Sequence, residues 1–375
     1  MKWIATCPHE TVGVLASELT GLGIGDQSIL HRGIAFTADL ETAYRAHLLL
    51  RTASRIQLVV REFEVSGIGD FRQELSKIAW KEWLRPVRPF TVAPALTDKK
   101  SQELGEEEVI QSVAKSISGS SFEKSAPRFD PMADNAITIV VFVRNGSCVI
   151  GIDTAGRALH KRGWRLNGHP AVLKETLAAS ILLLAGYNGS KALLDPMCGS
   201  GTIAIEAAYI ALNKAPLIHR GKDDFAFEHM AGFDRPLWRR VSDELRASRR
   251  SSLTAPIYAS DINAKYVELA RASALRARVE KYIEFAVKPV QEWLPPAPEG
   301  LMIANLPYGE RIGKTSSGGI DPLYKDVGRV INEQFQAWHI ALLVPADSPI
   351  HLLRLKEHRE LALLNGSLSV KLLLA

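Results

Sequence analysis

One glycine-rich segment of this chain carries residue types that can hold the anionic end of a cofactor. It reads Asp195-Pro196-Met197-Cys198-Gly199-Ser200-Gly201-Thr202, follows an apolar run and precedes a stretch of helical character. This order predicts a strand, a glycine turn and a helix. Glycines let the backbone approach a ligand closely, and the free N–H groups of a helix N-terminus attract an anion. Thr202 is a candidate to cap that helix. A turn that binds nothing is the alternative.

A second acidic position follows the next predicted strand, which ends at Asp261. A carboxylate there can accept hydrogen bonds from both hydroxyls of a ribose, as it does in nucleotide-binding folds. Asp261 could also cap the helix that follows, and both roles are compatible. After the third strand, Lys288-Pro289 offers no acid to read an adenine amino group. Gln291, Glu292 or backbone groups remain as alternatives for that contact.

A third segment, Asn305-Leu306-Pro307-Tyr308, directly follows another apolar strand. The lone pair of an aromatic amine is delocalised, so the amine is a poor nucleophile. The Asn305 side-chain oxygen and a backbone carbonyl can each accept one amine hydrogen and orient the nitrogen. Tyr308 can stack on a base that has left its helical stack. A turn at a strand end is the alternative. Together with the glycine segment, this motif predicts methyl transfer from S-adenosylmethionine to an amino nitrogen of a nucleobase, without a metal.

A basic segment precedes the glycine motif and contains His160, Lys161, Arg162, Trp164 and Arg165. Cations beside an aromatic side chain suit contacts to phosphates and stacking on bases. We therefore predict that these five residues bind RNA. The alternative is a solvated linker between domains.

Composition places few limits on function. The chain has 375 residues, of which 46% are hydrophobic and 23% charged, with a net charge of +5. These values are typical of an ordinary globular protein, and the charge is compatible with a polyanionic partner without requiring one. No apolar run is long enough for a membrane span. The three cysteines lack metal-ligand spacing, which favours free thiols in a reducing cytoplasm.

The order of predicted elements divides the chain into three regions. Residues 1–65 and 66–155 each read as an α+β unit, and residues 156–375 alternate strand and helix as a mostly parallel sheet requires. A helix is predicted over residues 70–80. Asn145-Gly146 and Asn365-Gly366 are turn dipeptides that predict two hairpins. The second hairpin would close the parallel sheet with an antiparallel strand, an arrangement that resembles class I methyltransferases.

The segments 160–165, 195–202, 258–261 and 305–311 occur in the order found in THUMP-domain guanine-2-amino RNA methyltransferases, and the chain resembles that family over nearly its whole length. Within that family, the chain resembles the bacterial large-subunit ribosomal RNA type. The resemblance implies a ferredoxin-like domain, a THUMP RNA-binding domain and a class I, Rossmann-like methyltransferase domain with a seven-stranded sheet, in the three regions above. Two departures are Leu306, where the family more often has proline, and the missing adenine-site acid.

From these motifs we expect three sets of site residues. The catalytic set is Asn305, Pro307 and Tyr308. The S-adenosylmethionine set is Asp195, Pro196, Cys198, Gly199, Ser200, Gly201, Thr202, Asp261, Ile262 and Asn305. The RNA set is the basic segment. The expected substrate is a guanosine 2-amino group in structured RNA. We expect this RNA to be 23S ribosomal RNA, with transfer RNA as the second choice. Amino-methylation of adenine in RNA or DNA and a non-catalytic RNA-binding protein are the alternatives. We expect a cytoplasmic monomer without membrane partners.

Overall fold

Two β-sheets organise the chain in a computed structural model that describes residues 1–120, 122, 125–166, 168, 173–221, 223–307 and 320–375. The strands are β1 (Lys2–Thr6), β2 (Gln27–Leu30), β3 (Gly33–Thr37), β4 (Arg55–Glu64), β5 (Pro89–Leu96), β6 (Arg128–Phe129), β7 (Ile137–Arg144), β8 (Ser147–Asp153), β9 (Ala192–Asp195), β10 (Ile257–Asp261), β11 (Ile283–Val287), β12 (Gly300–Asn305), β13 (His339–Pro345), β14 (Arg359–Asn365) and β15 (Leu368–Leu374). The helices are α1 (Val12–Gly21), α2 (Leu40–Leu49), α3 (Ile68–Leu75), α4 (Lys99–Gln102), α5 (Glu106–Ser118), α6 (Glu175–Leu184), α7 (Thr202–Ala211), α8 (Arg235–Ala247), α9 (Ala264–Arg276) and α10 (Asp321–Gln334).

The N-terminal sheet has the strand order β2-β3-β1-β4-β8-β7-β5-β6. Its first four strands and two helices follow the β-α-β-β-α-β order of a ferredoxin-like unit. The long strand β4 pairs with β1 on one side and with β8 on the other. The sheet therefore continues across residue 65, and the domain boundaries predicted at residues 65 and 155 stay predictions.

The hairpin predicted at Asn145-Gly146 is confirmed, since β7 and β8 pair as antiparallel neighbours. Both turn residues have positive φ, 52° at Asn145 and 83° at Gly146, as a two-residue type I′ turn requires. The helix predicted over residues 70–80 is shorter than expected. It ends at Leu75, and a 3-10 turn begins at Trp80, whose indole N–H donates to the Ser116 hydroxyl at 2.9 Å.

The C-terminal sheet has the order β11-β10-β9-β12-β13-β15-β14. The strands β9 to β13 run parallel, and β15 pairs antiparallel with both β13 and β14. This confirms the predicted seven-stranded, mostly parallel sheet closed by the Asn365-Gly366 hairpin. Parallel strands covered on both faces need continuous apolar runs, and the central strand β9 is buried along its whole length.

The segment between α7 and β10 packs against the N-terminal sheet. Phe225, Phe227 and Trp238 join the hydrophobic core that also contains Tyr44 of α2. At the rim of this contact, Arg240 of α8 pairs with Glu41 at 2.6 Å. The two halves of the chain therefore share apolar surface as well as a connecting segment.

Two helical glycines give opposite expectations for the same substitution. A Cβ at Gly328 of α10 would overlap the backbone of Leu353, whereas nothing lies within 4 Å of a Cβ at Gly13 of α1. We expect Gly328→Ala to lower the free energy of unfolding by roughly 2 kcal/mol through overpacking. Gly13→Ala, the control, should leave it unchanged or raise it by up to about 1 kcal/mol. Urea denaturation of both variants measures this, and equal midpoints would contradict the predicted clash.

Candidate cofactor and amine site

A cavity of about 300 Å³ opens at the carboxyl edge of the seven-stranded sheet. Loops that follow four parallel strands surround it, which is where open α/β sheets bind ligands. The lining residues are Leu173, Pro196, Met197, Cys198, Gly199, Ser200, Thr202, Ile203, Asp261, Ile262, Tyr266, Pro289, Val290, Gln291, Asn305, Leu306, Pro307 and Leu323. The glycine segment, the second acid and the amine motif, far apart in sequence, thus meet at one site.

The glycine segment forms the turn between β9 and α7. Gly201 is the N-cap of α7 and has a left-handed backbone with φ 79°, and no side chain caps the helix. A Cβ at Gly201 would lie 2.9 Å from the Cβ of Ala270 on α9, so the position also needs glycine for packing. The expectation that Thr202 caps α7 is wrong, because Thr202 is already the first helical residue and lines the cavity. The uncapped N–H groups of α7 remain available to an anion.

Asp261 ends β10 and holds the glycine loop in place. Its carboxylate accepts hydrogen bonds from the Gly199 N–H at 3.1 Å and the Asn263 N–H at 2.9 Å. The N-cap of α9 is Asn263, whose side chain accepts from the Lys265 N–H at 3.0 Å. The alternative that Asp261 caps this helix is therefore wrong. Its side chain instead lines the cavity.

Asp195 lies behind the loop and is fully buried. One carboxyl oxygen accepts a hydrogen bond from the Met197 N–H at 3.4 Å, and the other has no partner among the described residues. Burial, with Asp261 nearby, raises the pKa of the Asp195 carboxyl well above its usual range. The Asp195 carboxyl thus lies beneath the loop and contacts its backbone at Met197. Asp195 and Gly201 are the two predicted cofactor residues that do not line the cavity.

The amine motif leaves β12 at its carboxyl end. Asn305 is the last residue of the strand, and the Leu306 N–H donates to the Leu343 carbonyl of β13 at 2.9 Å. Leu306 is buried, while Asn305 and Pro307 are partly exposed and line the cavity. The sheet thus fixes the backbone immediately before the predicted catalytic side chains. Tyr308 lies outside the described residues.

An apolar rim borders the cavity beyond Asp261. Ile262 is 75% exposed although it is a large aliphatic side chain, and Pro289 and Val290 lie on the wall as well. Of the two candidates to replace the missing adenine-site acid, Gln291 lines the cavity and Glu292 does not. The Gln291 amide donates to the Asp326 carboxylate at 3.0 Å. Prediction from sequence missed wall residues that belong to none of the motifs, among them Leu173, Ile203, Tyr266 and Val290.

Some side chains of the basic segment that were predicted to bind RNA are buried in the protein. Arg162 is buried, where it pairs with Glu206 of α7 at 3.3 Å and donates to the Leu159 and Arg51 carbonyls, both at 2.6 Å. Trp164 is 2% exposed and belongs to the core of the second sheet. The expectation that these two residues bind RNA is corrected, because Arg162 bonds to the N-terminal half and Trp164 packs in the core of the second sheet.

The other three members of the segment differ in what they contact. Arg165 binds the Glu175 carboxylate at 2.9 Å and the Leu173 carbonyl at 2.7 Å. His160 is partly buried, and this burial lowers its pKa. Lys161 is exposed and makes no ion pair within the described part of the chain. RNA contacts by His160, Lys161 and Arg165 stay predictions.

The buried pair yields a stability prediction. Arg162→Ala leaves Glu206 buried without its partner, so we expect the free energy of unfolding to fall by about 3–5 kcal/mol. Lys161→Ala removes an exposed cation next to it and should change that energy by less than about 0.5 kcal/mol. Thermal and urea denaturation of the two variants make the comparison. A loss of similar size in both variants would show that the buried pair adds no more stability than an exposed cation.

The strand order, the glycine turn and the cavity above it define the class of Rossmann-like methyltransferase domains. The chain belongs to the family of RMKL-like methyltransferase domains, which matches residues 162–373. Residues 2–57 match the RlmL ferredoxin-like domain. The predicted family and fold class are confirmed by these matches. Among the described residues, helices are too short or too polar to cross a membrane, and no group of three His, Cys, Asp or Glu side chains could hold a metal ion.

Individual relatives agree with this family. The ribosomal RNA large subunit methyltransferase K/L of Vibrio cholerae is 32% identical over 98% of this chain. The chain spans 52% of that relative's length. The solved structure of SMU.472 complexed with SAH has a TM-score of 0.87 at 29% identity and covers all of this chain and 97% of that one. A structure named as a predicted N6-adenine-specific DNA methylase from Listeria monocytogenes has a TM-score of 0.82 at 26% identity, with 99% and 95% coverage.

Proposed function

We propose that this chain transfers the methyl group of S-adenosylmethionine to the exocyclic 2-amino group of a guanosine in RNA, with 23S ribosomal RNA as the substrate. We also propose that the enzyme is cytoplasmic, acts as a monomer and needs no metal. The observation that carries it is the single cavity that joins the glycine loop, Asp261 and Asn305. These are the parts needed to hold a nucleoside cofactor beside an amine.

The residues of the cavity fit S-adenosylmethionine. When bound, this cofactor supplies an electrophilic methyl group on a sulfonium sulfur. The uncapped N-terminus of α7 would hold its carboxylate. The Asp261 carboxylate would accept the ribose hydroxyls, and Ile262 with Pro289 would cover the apolar faces of adenine. SMU.472, which resembles the whole chain, was solved with SAH.

Asn305 orients the amine in this proposal. Its side-chain oxygen accepts one amine hydrogen, and a carbonyl of the same segment accepts the other. The nitrogen lone pair then points out of the plane of the base, and positive charge that develops on the amine is stabilised by the two acceptors. The backbone bond from Leu306 to Leu343 holds this segment to the sheet. An acceptor fixed in advance need not reorganise during the reaction.

The name of the Vibrio cholerae relative supports ribosomal RNA as the substrate, and the match of residues 2–57 to the RlmL ferredoxin-like domain supports the same class. The name of the Listeria monocytogenes structure favours a second candidate, methylation of the adenine 6-amino group. An amine clamp suits both bases, since each presents an exocyclic amine. A guanosine in transfer RNA is the third possibility within the same chemistry.

Asp261 provides the test of cofactor binding. We expect Asp261→Ala to weaken S-adenosylmethionine binding by roughly 1–3 kcal/mol, because a charge-assisted hydrogen bond is lost and the Gly199 N–H loses its acceptor. Glu292→Ala is the matched control, since this exposed acid follows β11, the neighbour of the strand that ends at Asp261, and does not line the cavity. Calorimetry of both variants measures the effect. Unchanged affinity in Asp261→Ala would remove Asp261 from the ribose role.

Asn305 provides the test of catalysis. Asn305→Ala removes an acceptor that matters most as charge develops, so the methyl-transfer rate should fall on the order of a hundredfold or more. Cofactor affinity, measured by calorimetry on the same variant, should persist. Tritiated methyl transfer to RNA followed by nucleoside analysis gives the rate and the product. Full turnover in Asn305→Ala would overturn the clamp, and 6-methyladenosine in place of 2-methylguanosine would overturn the base assignment.

A further inference from the structure

A second cavity, of about 370 Å³, lies between the two halves of the chain. We call it the interdomain cleft. Thr6, Arg32 and Ser54 of the N-terminal half form one side of it, and Lys174 and Thr176 at the start of α6 form the other. The hairpin between β14 and β15 closes one end through Gly366. The cleft shares no lining residue with the first cavity.

The chemistry of the interdomain cleft suits an anion. No carboxylate is among its lining residues, and the two cations, Arg32 and Lys174, make no ion pair with any residue that the structure describes. The hydroxyls of Thr6, Ser54 and Thr176 likewise make no hydrogen bond to the described residues. Thr176 lacks such a partner although the residue is only 7% exposed. Glu18, behind the wall, accepts hydrogen bonds from Thr52.

The N-terminus of α6 adds backbone donors to these side chains. Its N-cap is Lys174, which has an extended backbone and makes no side-chain capping bond. The first N–H groups of this ten-residue helix are therefore left without a side-chain acceptor, beside the unpartnered hydroxyl of Thr176, a buried residue that lines the cleft. Two cations, free hydroxyls and helix N–H groups together match the oxygens of a phosphate.

The interdomain cleft lies next to the first cavity. Leu173 lines the first cavity and Lys174, the following residue, lines the cleft. Both open at the carboxyl edge of the parallel sheet, because the start of β15 pairs with the end of β13 through Val370 and Pro345. A chain of nucleotides that places a base in the first cavity can therefore pass its backbone over Lys174 into the cleft.

We propose that the interdomain cleft binds a backbone phosphate of the RNA next to the nucleotide whose base enters the first cavity. This inference rests on the proposed function, because it assigns the position of the substrate backbone. Contacts to phosphate set the register of a nucleic acid on a protein without reading its sequence. Such an anchor is useful to an enzyme that takes a base out of its stack, since the flanking backbone must be held while the base is exposed.

The test replaces both cations of the cleft with neutral residues in the full chain. The variant is Arg32→Gln with Lys174→Gln, and the matched control is Lys191→Gln with Arg359→Gln, which neutralises an exposed lysine and an exposed arginine at the opposite, amino edge of the same sheet. Binding of a labelled 23S ribosomal RNA transcript is measured over a range of salt concentrations. Methyl transfer and S-adenosylmethionine affinity are measured on the same samples.

We expect the cleft variant to bind the RNA about tenfold more weakly, with a salt dependence shallower by about one released counterion per lost phosphate contact. Its KM for RNA should rise while kcat at saturating RNA and cofactor affinity stay near those of the unaltered chain. The control variant should match the unaltered chain. RNA affinity and salt slope that are equal in the cleft variant and the control would overturn the proposal, even if the enzyme methylates RNA normally.

Failure of the proposed function has a different signature. If the unaltered chain binds RNA without methylating it and the cleft variant binds less, the cleft is supported and the activity is overturned. If inorganic phosphate binds the unaltered chain but RNA affinity is the same in both variants, the cleft holds a free phosphate and the RNA proposal is overturned. If the unaltered chain binds no RNA, both proposals are overturned.

Discussion

A buried charge network joins the two halves of this chain, and the relative position of both candidate ligand sites depends on it. Arg162 pairs with Glu206 of α7, the helix that begins at the glycine loop. It also donates to the Arg51 carbonyl of the N-terminal half. The Arg51 guanidinium returns to the C-terminal half through the carbonyls of Tyr209 and Lys214. The charges of Arg162 and Glu206 are buried, and either of them left unpaired would cost several kcal/mol. The network thus favours a single arrangement of the two halves.

The apolar contact beside this network also favours a single arrangement of the two halves. Phe225, Phe227 and Trp238 come from the C-terminal half of the sequence but belong to the core of the N-terminal sheet. Removal of residues 1–155 would expose these aromatic side chains to water, so the remaining part is not expected to fold as it does in the full chain. The interdomain cleft can keep its shape for the same reason, since both of its walls belong to one packed body.

Motifs that depend on neighbours in sequence were predictable, and residues whose role depends on distant partners were not. The Asn145-Gly146 and Asn365-Gly366 hairpins, the glycine turn and the strand before Asp261 follow from local turn chemistry and apolar runs. Arg162 looked like a solvent-exposed cation because its partner Glu206 is 44 residues away. The N-cap role of Asn263 in place of Asp261 likewise depends on how the chain turns after β10. The cleft could not be predicted, since its walls come from separate halves of the sequence.

The direction of the helices explains why two anion sites occur at one edge of the sheet. A helix that follows a parallel strand or leads into one through a short connection runs antiparallel to that strand, so it begins at the carboxyl edge of the sheet. Both α6 and α7 obey this rule and pack against each other, so their positive ends lie side by side. The glycine loop leaves the start of α7 open to the first cavity, and the extended backbone at Lys174 leaves the start of α6 open to the cleft. One topological feature thus provides donors for a cofactor carboxylate and, in our proposal, for an RNA phosphate next to it.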